Sequence, residues 1–378
     1  MKKKITILAL HLNFGGVESS IASQANALCN DYEVEIVSIY KMTEQPAFKI
    51  DKKVKITYLT DLKPNREEFK NALKNKKFIT AFKEGLKSLK ILYLKKHKMI
   101  EAIKNSDADI LISSRVEIAE LLSKHKKDNV ITITEEHCHH NNNEKYINRL
   151  SNACKGIDYL VCVSKELTNF YKKHIPHTKP VYIPNGLDYT PTKLSKLNNK
   201  NLISVGRLSP EKGYLDLIEV YSMVHKSHPE WRLHIVGDGD ERLKLEHKVK
   251  EYGLEDYVVL HGYQKKDYID KILERASIYV MCSFSESFGI VLIEAQAYGI
   301  PCLAFDSARG ALEIIEHGIN GYIVQNRDLV RMSEMICRLI EDETTRQKFG
   351  VKSRENALSY SKESIKKQWI DFIEMISA

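Results

Sequence analysis

Short runs rich in β-branched residues alternate with segments of helical periodicity along the whole chain. This alternation is typical of a parallel β-sheet whose strands are joined by crossover helices. The first half predicts strands at residues 4–10, 33–39, 55–58, 110–113, 130–134 and 159–164. The second half predicts strands at residues 201–205, 232–236, 257–260, 278–282 and 301–304. The expected fold class is therefore α/β.

A break between the two series of strands follows the turn-rich residues 184–188. At 378 residues the chain is also longer than one compact core usually supports. We therefore predict two Rossmann-like, doubly wound domains, residues 1–188 and residues 189–360, followed by a C-terminal segment at residues 361–378. Ligands of doubly wound sheets bind beyond the carboxyl ends of the strands. The predicted active site is accordingly a cleft between two facing domains.

The N-terminal segment has lysines followed by an apolar run and superficially resembles a secretory signal. The run is interrupted at His11 and no small-residue cleavage site follows, so we predict a buried first strand instead. No other apolar run approaches the roughly 18 residues of a membrane-spanning helix. The seven cysteines are scattered without CxxC spacing and are predicted to be reduced. These features favour a cytoplasmic protein.

The net charge of +8 is concentrated in one segment. Between Lys63 and Lys104 there are thirteen Lys or Arg residues and four Glu residues, a local charge of +9. Apolar residues recur among these lysines at helical spacing: Phe78, Ile79, Phe82, Leu86 and Leu89. The pattern favours peripheral contact with an anionic membrane surface, and a solvated helical face over an ordinary core is an equal alternative. No aromatic-rich reading motif accompanies the charge, so we expect no nucleic-acid partner.

Two glycine-containing segments follow predicted strands. Gly15 and Gly16 precede a helical pattern, where small residues let backbone N–H groups approach an anionic ligand; a tight strand–helix turn is the alternative. Gly237 opens the segment Gly-Asp-Gly-Asp, which could be mistaken for a dinucleotide fingerprint. The position of the third glycine holds Arg242, so a dehydrogenase is a poor interpretation.

Arg207 and Lys212 lie in a loop that follows a strand and opens a helix. The guanidinium of Arg207 can hold diphosphate oxygens bidentately, and Lys212 adds a compact positive charge. We expect both side chains to be exposed at the sheet edge, where they would neutralise a departing nucleotide. An ordinary surface loop is the alternative.

Glu286 and Glu294 lie in a segment where we predict a strand end, a short loop and a helix that begins near Phe288. Glu294 stands within the apolar run Val-Leu-Ile-Glu-Ala, where an unpaired carboxylate is unfavourable. A ribose diol that donates two hydrogen bonds would satisfy it. The alternative is a helix-start carboxylate at Glu286 and an ordinary polar position at Glu294.

The motifs that carry a resemblance are Gly15-Gly16, the Arg207/Lys212 pair and the Glu286/Glu294 element. Together they resemble the retaining glycosyltransferase family 4, whose members have the GT-B fold. The resemblance covers nearly the whole chain and is strongest at residues 202–324, although residues 307–311 lack the glycine-proline form common in the family. We expect Arg309 in this segment to bring an extra charge near the donor. The resemblance implies that residues 361–378 form a helix that packs back on the N-terminal domain.

The resemblance also implies roles for the site residues. Arg207 and Lys212 would bind the donor diphosphate, and Glu294 would bind the ribose. Residues that would face the donor sugar and phosphates are Glu286, Ser287, Phe288, Gly289, Ile290 and Val291. Residues near the base would be His261, Gly262 and Tyr263, and Gly15, Gly16 and Gly237 complete the predicted donor-binding set. Arg207, Lys212 and Glu286 are also expected to act in catalysis.

We assign the active-site histidine of the N-terminal domain to His137, with His139 and His140 open as alternatives. Three histidines beside Cys138 and two carboxylates also suggest zinc. Consecutive ligands cannot all face one ion, however, and members of the family generally need no metal. An exposed polar loop with no role is a further alternative. We therefore expect no metal and no cofactor.

The resemblance implies a metal-independent transfer of a sugar with retention of anomeric configuration. A UDP-sugar is the favoured donor, with GDP-mannose as the second choice, and the expected acceptor is a bacterial envelope glycan or a lipid-linked saccharide. Two rival functions remain: a nucleotide-sugar epimerase of the same two-domain shape, and a non-catalytic subunit that only binds the donor. The intact set Arg207, Lys212 and Glu294 argues against the second rival.

Overall fold

The computed structural model describes residues 2–377, which form two compact units. Unit 1 comprises the residues up to Val163, Leu167–Ile183 and the residues from Lys366 onward. Unit 2 comprises Ser164–Glu166 and the continuous stretch Pro184–Ile365.

Unit 1 contains a seven-stranded parallel sheet. Its strands are β1 (Lys4–Ala9), β2 (Glu33–Tyr40), β3 (Lys55–Thr60), β4 (Ile110–Ser113), β5 (Ile131–Glu136), β6 (Tyr159–Cys162) and β7 (Lys179–Tyr182). They lie in the order β3-β2-β1-β4-β5-β6-β7. The chain therefore winds outward from β1 in one direction and then from β4 in the other. The carboxyl ends of β1 and β4 form a topological switch point, where ligands of such sheets bind.

The helices among these strands are α1 (Gly16–Leu28), α2 (Arg66–Lys74), α3 (Phe78–Asn105), α4 (Val116–His125), α5 (Glu144–Cys154) and α6 (Lys165–His174). The C-terminal residues from Lys366 onward also belong to this unit, and Phe372 packs edge-on against Tyr159 with ring centroids 5.3 Å apart. Buried Trp369 and Ile373 contribute to the same packing region.

Unit 2 contains a six-stranded parallel sheet in the order β10-β9-β8-β11-β12-β13. Its strands are β8 (Asn201–Val205), β9 (Arg232–Val236), β10 (Val258–Leu260), β11 (Ile278–Met281), β12 (Cys302–Phe305) and β13 (Gly321–Val324). Its helices are α7 (Tyr214–Ser227), α8 (Arg242–Glu251), α9 (Lys266–Leu273), α10 (Ile290–Ala297), α11 (Ala311–Ile314), α12 (Leu329–Glu341), α13 (Glu343–Leu358) and the start of α14 (Lys362–Ile376). Two 3₁₀ turns lie at Pro210–Lys212 and Gln325–Arg327.

All eleven predicted strands are present, and the predicted α/β class with two doubly wound parallel sheets is confirmed. The sequence reasoning missed β7 and β13. Each is a four-residue strand at the edge of its sheet, and β7 contains Pro180. Proline is tolerated at a sheet edge because one N–H there has no strand partner. Such short strands lack the long apolar run that identifies a central parallel strand.

The central strands carry the cores of both units. In unit 1, Ile5, Ile7 and Ile112 are fully buried, and in unit 2 every residue of β11 is buried. A strand that is covered by helices on both faces reads as a continuous apolar run, which is why these strands were predictable. Within the described residues, no helix has the length and apolarity needed to cross a membrane.

Candidate functional site

The loops after β8, β9 and β10 pack against one another at the carboxyl edge of the unit 2 sheet. The Gly206 N–H donates to the Val236 carbonyl (3.0 Å), and the Gly237 N–H donates to the Gly262 carbonyl (2.9 Å). Gly237 has a φ of 145°, and a Cβ there would lie 1.8 Å from the carbonyl oxygen of Gly206. Glycine is therefore required at this position to let the loops meet.

Lys212 closes the loop after β8, and its ammonium pairs with the carboxylate of Glu286 from the loop after β11. Ser283 donates its hydroxyl to the same Glu286 oxygen (3.1 Å). The Lys212 side chain is 25% exposed, so the expectation that it is freely exposed is wrong. The cause is a carboxylate 74 residues away in sequence, which local patterns do not show. The structure thus brings together two predicted site residues.

The two loops are in direct contact beside this ion pair. Gly213 has a φ of 65°, and a Cβ there would lie 2.1 Å from the carbonyl oxygen of Cys282. The Phe284 N–H also donates to the Glu211 carbonyl (2.8 Å). These contacts fix the distance between the residues that carry Lys212 and Glu286.

Arg207 lies on the loop after β8 and its side chain is 72% exposed, as predicted. One guanidinium nitrogen donates to Glu211 Oε1 (2.7 Å), and Ser209 donates its hydroxyl to the same carboxylate oxygen (2.7 Å). A guanidinium that is tethered at one side and open at the other can bind an anion bidentately.

Glu294 lies within α10 and pairs with Lys266 from α9, with Nζ 2.9 Å from Oε1. The expectation that this carboxylate is unpaired without a ligand is therefore wrong. Burial lowers the pKa of Lys266, but the carboxylates of Glu294 and Asp270 outweigh that effect and raise the pKa above its ordinary value. Lys266 is a site residue that sequence reasoning missed, because a lysine in a polar amphipathic helix carries no local signal.

The helix α10 begins at Ile290, two residues later than predicted, because Gly289 adopts a left-handed φ of 93°. Phe288 is buried and its ring packs edge-on against that of Tyr360, 5.6 Å between centroids. Its side chain therefore belongs to the core of unit 2, in contrast to half-buried Ser287. The backbone N–H groups of Ile290 and of the following Val291 are in the first helical turn, where they lack intrahelical acceptors.

His261 follows β10 and forms part of a row of four polar side chains. Its Nε2 lies 2.9 Å from Nδ1 of His234, and its Nδ1 lies 2.9 Å from the Tyr268 hydroxyl. His234 Nε2 lies 3.2 Å from Oδ1 of Asn201. Burial lowers the pKa of His234 to about 4 and also lowers that of His261, so both imidazoles are neutral near pH 7. Tyr263, two residues after His261 in sequence, is 54% exposed.

Arg327 lies under the loop that carries Glu286 and is a second residue that sequence reasoning missed. Its guanidinium donates to the Ser283 carbonyl (3.1 Å) and to the Ser307 hydroxyl (2.9 Å), and it pairs with Asp216. These bonds hold the loops after β11 and β12 together. Arg327 is separated by about 40 residues from the motif it supports, so no local spacing could reveal it.

In unit 1, the loops after β1 and β4 meet at the switch point of the sheet. Gly15 and Gly16 lie at the start of α1, and the carboxylate of buried Glu18 in the first turn accepts a hydrogen bond from Arg115 (2.5 Å). The imidazole of His11 lies 3.5 Å from the same oxygen. Sequence reasoning found the glycines but missed Glu18 and Arg115. Both residues closely follow strands of the sheet: Glu18 lies one turn after Gly15, and Arg115 lies two residues after β4. Such positions at the carboxyl ends of strands could have identified them as site candidates.

His137 lies directly after β5, beside the carboxylate of Glu135. Its Nε2 is 3.4 Å from Glu135 Oε2, and Gln24 from α1 donates to Glu135 Oε1 (2.8 Å). The His137 side chain is 8% exposed. His140 is instead buried and stacks on Phe170 with ring centroids 3.8 Å apart. The structure thus places the assigned histidine next to an acidic partner and one of its two alternatives in the core of unit 1.

Glu136, the last residue of β5, is a buried carboxyl that the sequence suggested only as one of the two carboxylates of a zinc site. Tyr146 donates its hydroxyl to Oε2 (2.7 Å), and the Cys138 N–H donates to Oε1 (2.7 Å). Burial raises the pKa of Glu136 to about 7, and these two hydrogen bonds only partly oppose the shift. Glu136 therefore changes its charge near neutral pH within two residues of His137.

The part of the chain that matches a known family lies within unit 2. Residues 190–356 match the family Glycosyl transferases group 1. This region, less than half of the chain, is similar to the group 1 glycosyltransferases, and the two Rossmann-like parallel-sheet units have the GT-B fold.

Two curated bacterial relatives extend over nearly the whole chain. An exopolysaccharide phosphotransferase of Streptomyces coelicolor is 30% identical over 376 residues, which are 96% of this chain and 40% of that protein. The chain therefore spans less than half the length of that relative. A GalNAc-α-(1→4)-GalNAc-α-(1→3)-diNAcBac-PP-undecaprenol α-1,4-N-acetyl-D-galactosaminyltransferase of Campylobacter jejuni is 24% identical and is aligned over 98% of both chains.

Among solved structures, a mutant of TarM from S. aureus in complex with fondaparinux, α-GlcNAc-glycerol and UDP has a TM-score of 0.78. It is 20% identical, and the alignment covers 98% of this chain and 99% of that chain. At this identity the likeness establishes the GT-B fold.

Proposed function

We propose that this protein is a retaining, metal-independent glycosyltransferase that moves a sugar from a nucleotide diphosphate donor, with UDP-sugars favoured, to a bacterial envelope glycan or lipid-linked saccharide. The observation that carries the proposal is the pair of cations on one loop of unit 2. Arg207 is open to solvent, and Lys212 is held by Glu286 at the carboxyl edge of the sheet.

The two cations suit the departure of a nucleoside diphosphate. The bond between the anomeric carbon and the diphosphate oxygen breaks, and negative charge accumulates on the leaving group. Cations already fixed in place stabilise that charge without reorganisation. The first turn of α10 adds backbone N–H groups and a partial positive charge at the same sheet edge. The acceptor oxygen bonds to the anomeric carbon from the face that the diphosphate leaves, which retains the configuration, and the proton of the acceptor hydroxyl passes to the departing diphosphate.

Glu294 is the proposed acceptor of the ribose hydroxyls. Its Lys266 partner fixes the position of the carboxylate, with Nζ 2.9 Å from Oε1. A charged carboxylate accepts hydrogen bonds from a diol more strongly than a neutral carboxyl group does. The uracil base would then lie toward the row of His234 and His261.

Two similar proteins support the proposed substrates. UDP is the nucleotide in the TarM complex, and the C. jejuni enzyme is named for an undecaprenol-PP-linked saccharide. Both proteins align with nearly the whole of this chain. They support a UDP-sugar donor and an envelope saccharide acceptor here.

On the acceptor side, we assign His137 to contact the donor sugar or the acceptor. Glu135 orients its imidazole, and Gln24 orients Glu135. His137→Ala should lower transfer by about a hundredfold with nearly unchanged nucleotide affinity, whereas His139→Ala, which replaces the remaining alternative, should change transfer little. Equal, small losses of transfer activity in both variants would show that His137 does not take part in the reaction.

The function is tested by binding and then by turnover. UDP at a hundred times its dissociation constant should stabilise the fold by about 2.7 kcal/mol, seen as a higher Tm, and GDP should stabilise it less. With a panel of UDP-sugars and an envelope saccharide, NMR should show a product with the donor's anomeric configuration, at a rate that EDTA does not change. Inverted product, an EDTA effect reversed by metal, or epimerised donor without an acceptor would each overturn the corresponding part of the proposal.

A further inference from the structure

The segment between β3 and β4 forms a helical hairpin of α2 and α3. Asn65 joins the two helices, because its amide donates to the Glu84 carbonyl (2.9 Å) and its Oδ1 accepts from the Ser88 hydroxyl (2.8 Å). The C-terminal half of α3 is anchored in the core of unit 1 through buried Met99 and Ile103. The N-terminal half of α3 is therefore held in a fixed position by both its partner helix and its own anchored end.

The N-terminal half of α3 exposes an unusual amount of apolar surface. Seven large apolar residues of α3 are each more than half exposed and form what we call the hairpin face: Phe78, Ile79, Phe82, Leu86, Leu89, Leu92 and Tyr93. At about 3.6 residues per turn they lie on one side of the helix. Along this side, α2 and α3 enclose an apolar groove of about 520 Å³. The alternative that these residues cover an ordinary core is wrong, because they are exposed.

Lysines border the hairpin face. Lys83, Lys87 and Lys90 are exposed and directly follow Phe82, Leu86 and Leu89 in sequence, which places them about 100° further around the helix. Lys63–Lys104 as a whole carries +9, although the full chain carries only +8. The rest of the protein is thus nearly neutral, and its positive charge is concentrated around the apolar face.

We propose that the hairpin face is a membrane-docking surface that inserts its apolar side chains among the lipids of an anionic bilayer while the bordering lysines bind the lipid headgroups. Contiguous exposed apolar patches on a soluble protein mark interaction sites. An apolar stripe flanked by lysines is the pattern of helices that lie in the membrane interface. This proposal concerns only the binding of the hairpin face to a bilayer and does not depend on the proposed reaction.

Charge decides between a bilayer and a second copy of the chain. Two copies that met through the hairpin face would bring two segments of charge +9 together, which is strongly unfavourable unless counterions screen them. Anionic headgroups supply the opposite charge over a wide surface, and each lysine near that surface adds attraction. The observations therefore favour the lipid surface.

The experiment measures binding of the full chain to vesicles. In co-sedimentation at low salt, the protein should bind vesicles of phosphatidylglycerol and phosphatidylcholine, bind phosphatidylcholine vesicles weakly, and be released as salt increases. A Phe82→Trp variant should show a blue-shifted emission with the anionic vesicles, because the indole enters an apolar environment. Absence of binding to anionic vesicles at low salt overturns the proposal.

Two matched pairs of variants locate the binding surface. Lys83→Gln/Lys87→Gln/Lys90→Gln should weaken binding about a hundredfold, since each lysine contributes roughly a fivefold factor. The control Lys196→Gln/Lys226→Gln/Lys348→Gln removes the same charge from exposed positions of unit 2 and should bind like the wild type. Equal losses in the two triple variants overturn the proposal, because net charge alone would then explain the binding.

The second pair tests the apolar contribution. Phe78→Ser/Phe82→Ser should lower binding at least tenfold, whereas Leu243→Ser/Val351→Ser, which changes similarly exposed apolar residues of unit 2, should not. Unchanged far-UV circular dichroism shows that each variant is folded. Concentration-dependent dimers that Phe78→Ser/Phe82→Ser abolishes, without vesicle binding by the wild type, would identify a second copy as the occupant and overturn the membrane proposal. Release of UDP from the donor in the absence of vesicles reports the proposed reaction independently.

Discussion

Arg207 and Lys212 leave the same loop of unit 2 but differ in their surroundings. Arg207 is mostly exposed, whereas Lys212 is covered and paired with Glu286. Arg207→Ala should therefore change the free energy of unfolding by less than about 0.5 kcal/mol. Lys212→Ala should lower it by about 1–3 kcal/mol, because Glu286 loses its partner.

Despite this difference in stability, both variants should lose transfer activity. Each removes a cation from the proposed leaving group, which corresponds to roughly 3–4 kcal/mol of transition-state stabilisation or a several-hundredfold rate loss. Initial rates with the true donor, measured beside urea unfolding curves, separate the two effects. Lys226→Ala, at an exposed position of α7, is the control for general loss of charge. Near-normal turnover in both loop variants would contradict the assignment to the diphosphate.

The carboxylate of Glu294 should be coupled to the ribose hydroxyls of the donor. Glu294→Gln and a deoxyribose donor should each weaken binding, but the deoxy donor should lose almost nothing further in the variant. Isothermal titration of the four combinations gives the coupling energy directly. Additive losses in binding free energy would show that Glu294 pairs only with Lys266 and does not contact the ribose.

The raised pKa of Glu136 predicts a pH-dependent stability. The folded protein holds the proton up to about pH 7, whereas an unfolded glutamate releases it near its ordinary value. This contribution is present below about pH 4.5 and is lost as pH rises through about 7, on the order of 3 kcal/mol in total. Urea unfolding between these values should show a steeper decline for the wild type than for Glu136→Gln. Parallel pH profiles would mean that the carboxyl group titrates normally.

Residue types at strand ends predicted Arg207, Lys212, Glu286 and His137 as candidate site residues, since the carboxyl edge of a parallel sheet gathers such side chains. Their partners were not predictable in the same way. Lys266, Arg327 and Arg115 each act through a contact that joins distant parts of the chain. A cation in such a position has the same local sequence as any exposed surface residue, and only the folded arrangement distinguishes it.

At the scale of elements, hydrophobic runs predicted every central strand, whereas β7 and β13, two four-residue strands at sheet edges, were not predicted. The start of α10 was placed two residues early. Phe288 and the residues after it suit a helix, but Gly289 turns the chain into a left-handed conformation first. Helix propensity alone does not show that the loop after β11 must first place Glu286 next to Lys212.

The loop contact at Gly213 can be tested against a matched glycine. Gly213 and Gly253 have nearly identical φ values, 65° and 64°, but a Cβ at Gly253 meets no atom within 4 Å. Gly253→Ala should lower the free energy of unfolding by about 1–2 kcal/mol, the penalty for the left-handed conformation. Gly213→Ala should add about 1–3 kcal/mol because its Cβ collides with the Cys282 carbonyl. Urea unfolding of both variants measures the difference, and equal losses would mean that the loops separate without penalty.

At the scale of the whole molecule, the sequence predicted two parallel-sheet units from two series of strands and a polar break between them. It also predicted where the positive charge lies. It could not decide whether the apolar residues within that charge face the core, because a helix with a wide apolar stripe looks the same in sequence whether or not another element covers it. The exposure of Phe78 and Ile79 settles this point.

The division of the chain between the units has a consequence for folding during synthesis. Nearly all of unit 2 is one uninterrupted stretch, Pro184–Ile365, whereas unit 1 also needs Trp369, Phe372 and Ile373, which follow that stretch in the chain. Unit 2 can therefore fold once Ile365 has left the ribosome, but unit 1 must wait with an unfilled core until the residues after Ile365 emerge. A chain stopped after Ile365 should keep a protease-resistant unit 2 and a readily digested unit 1. Equal resistance of both units in limited proteolysis would contradict this order.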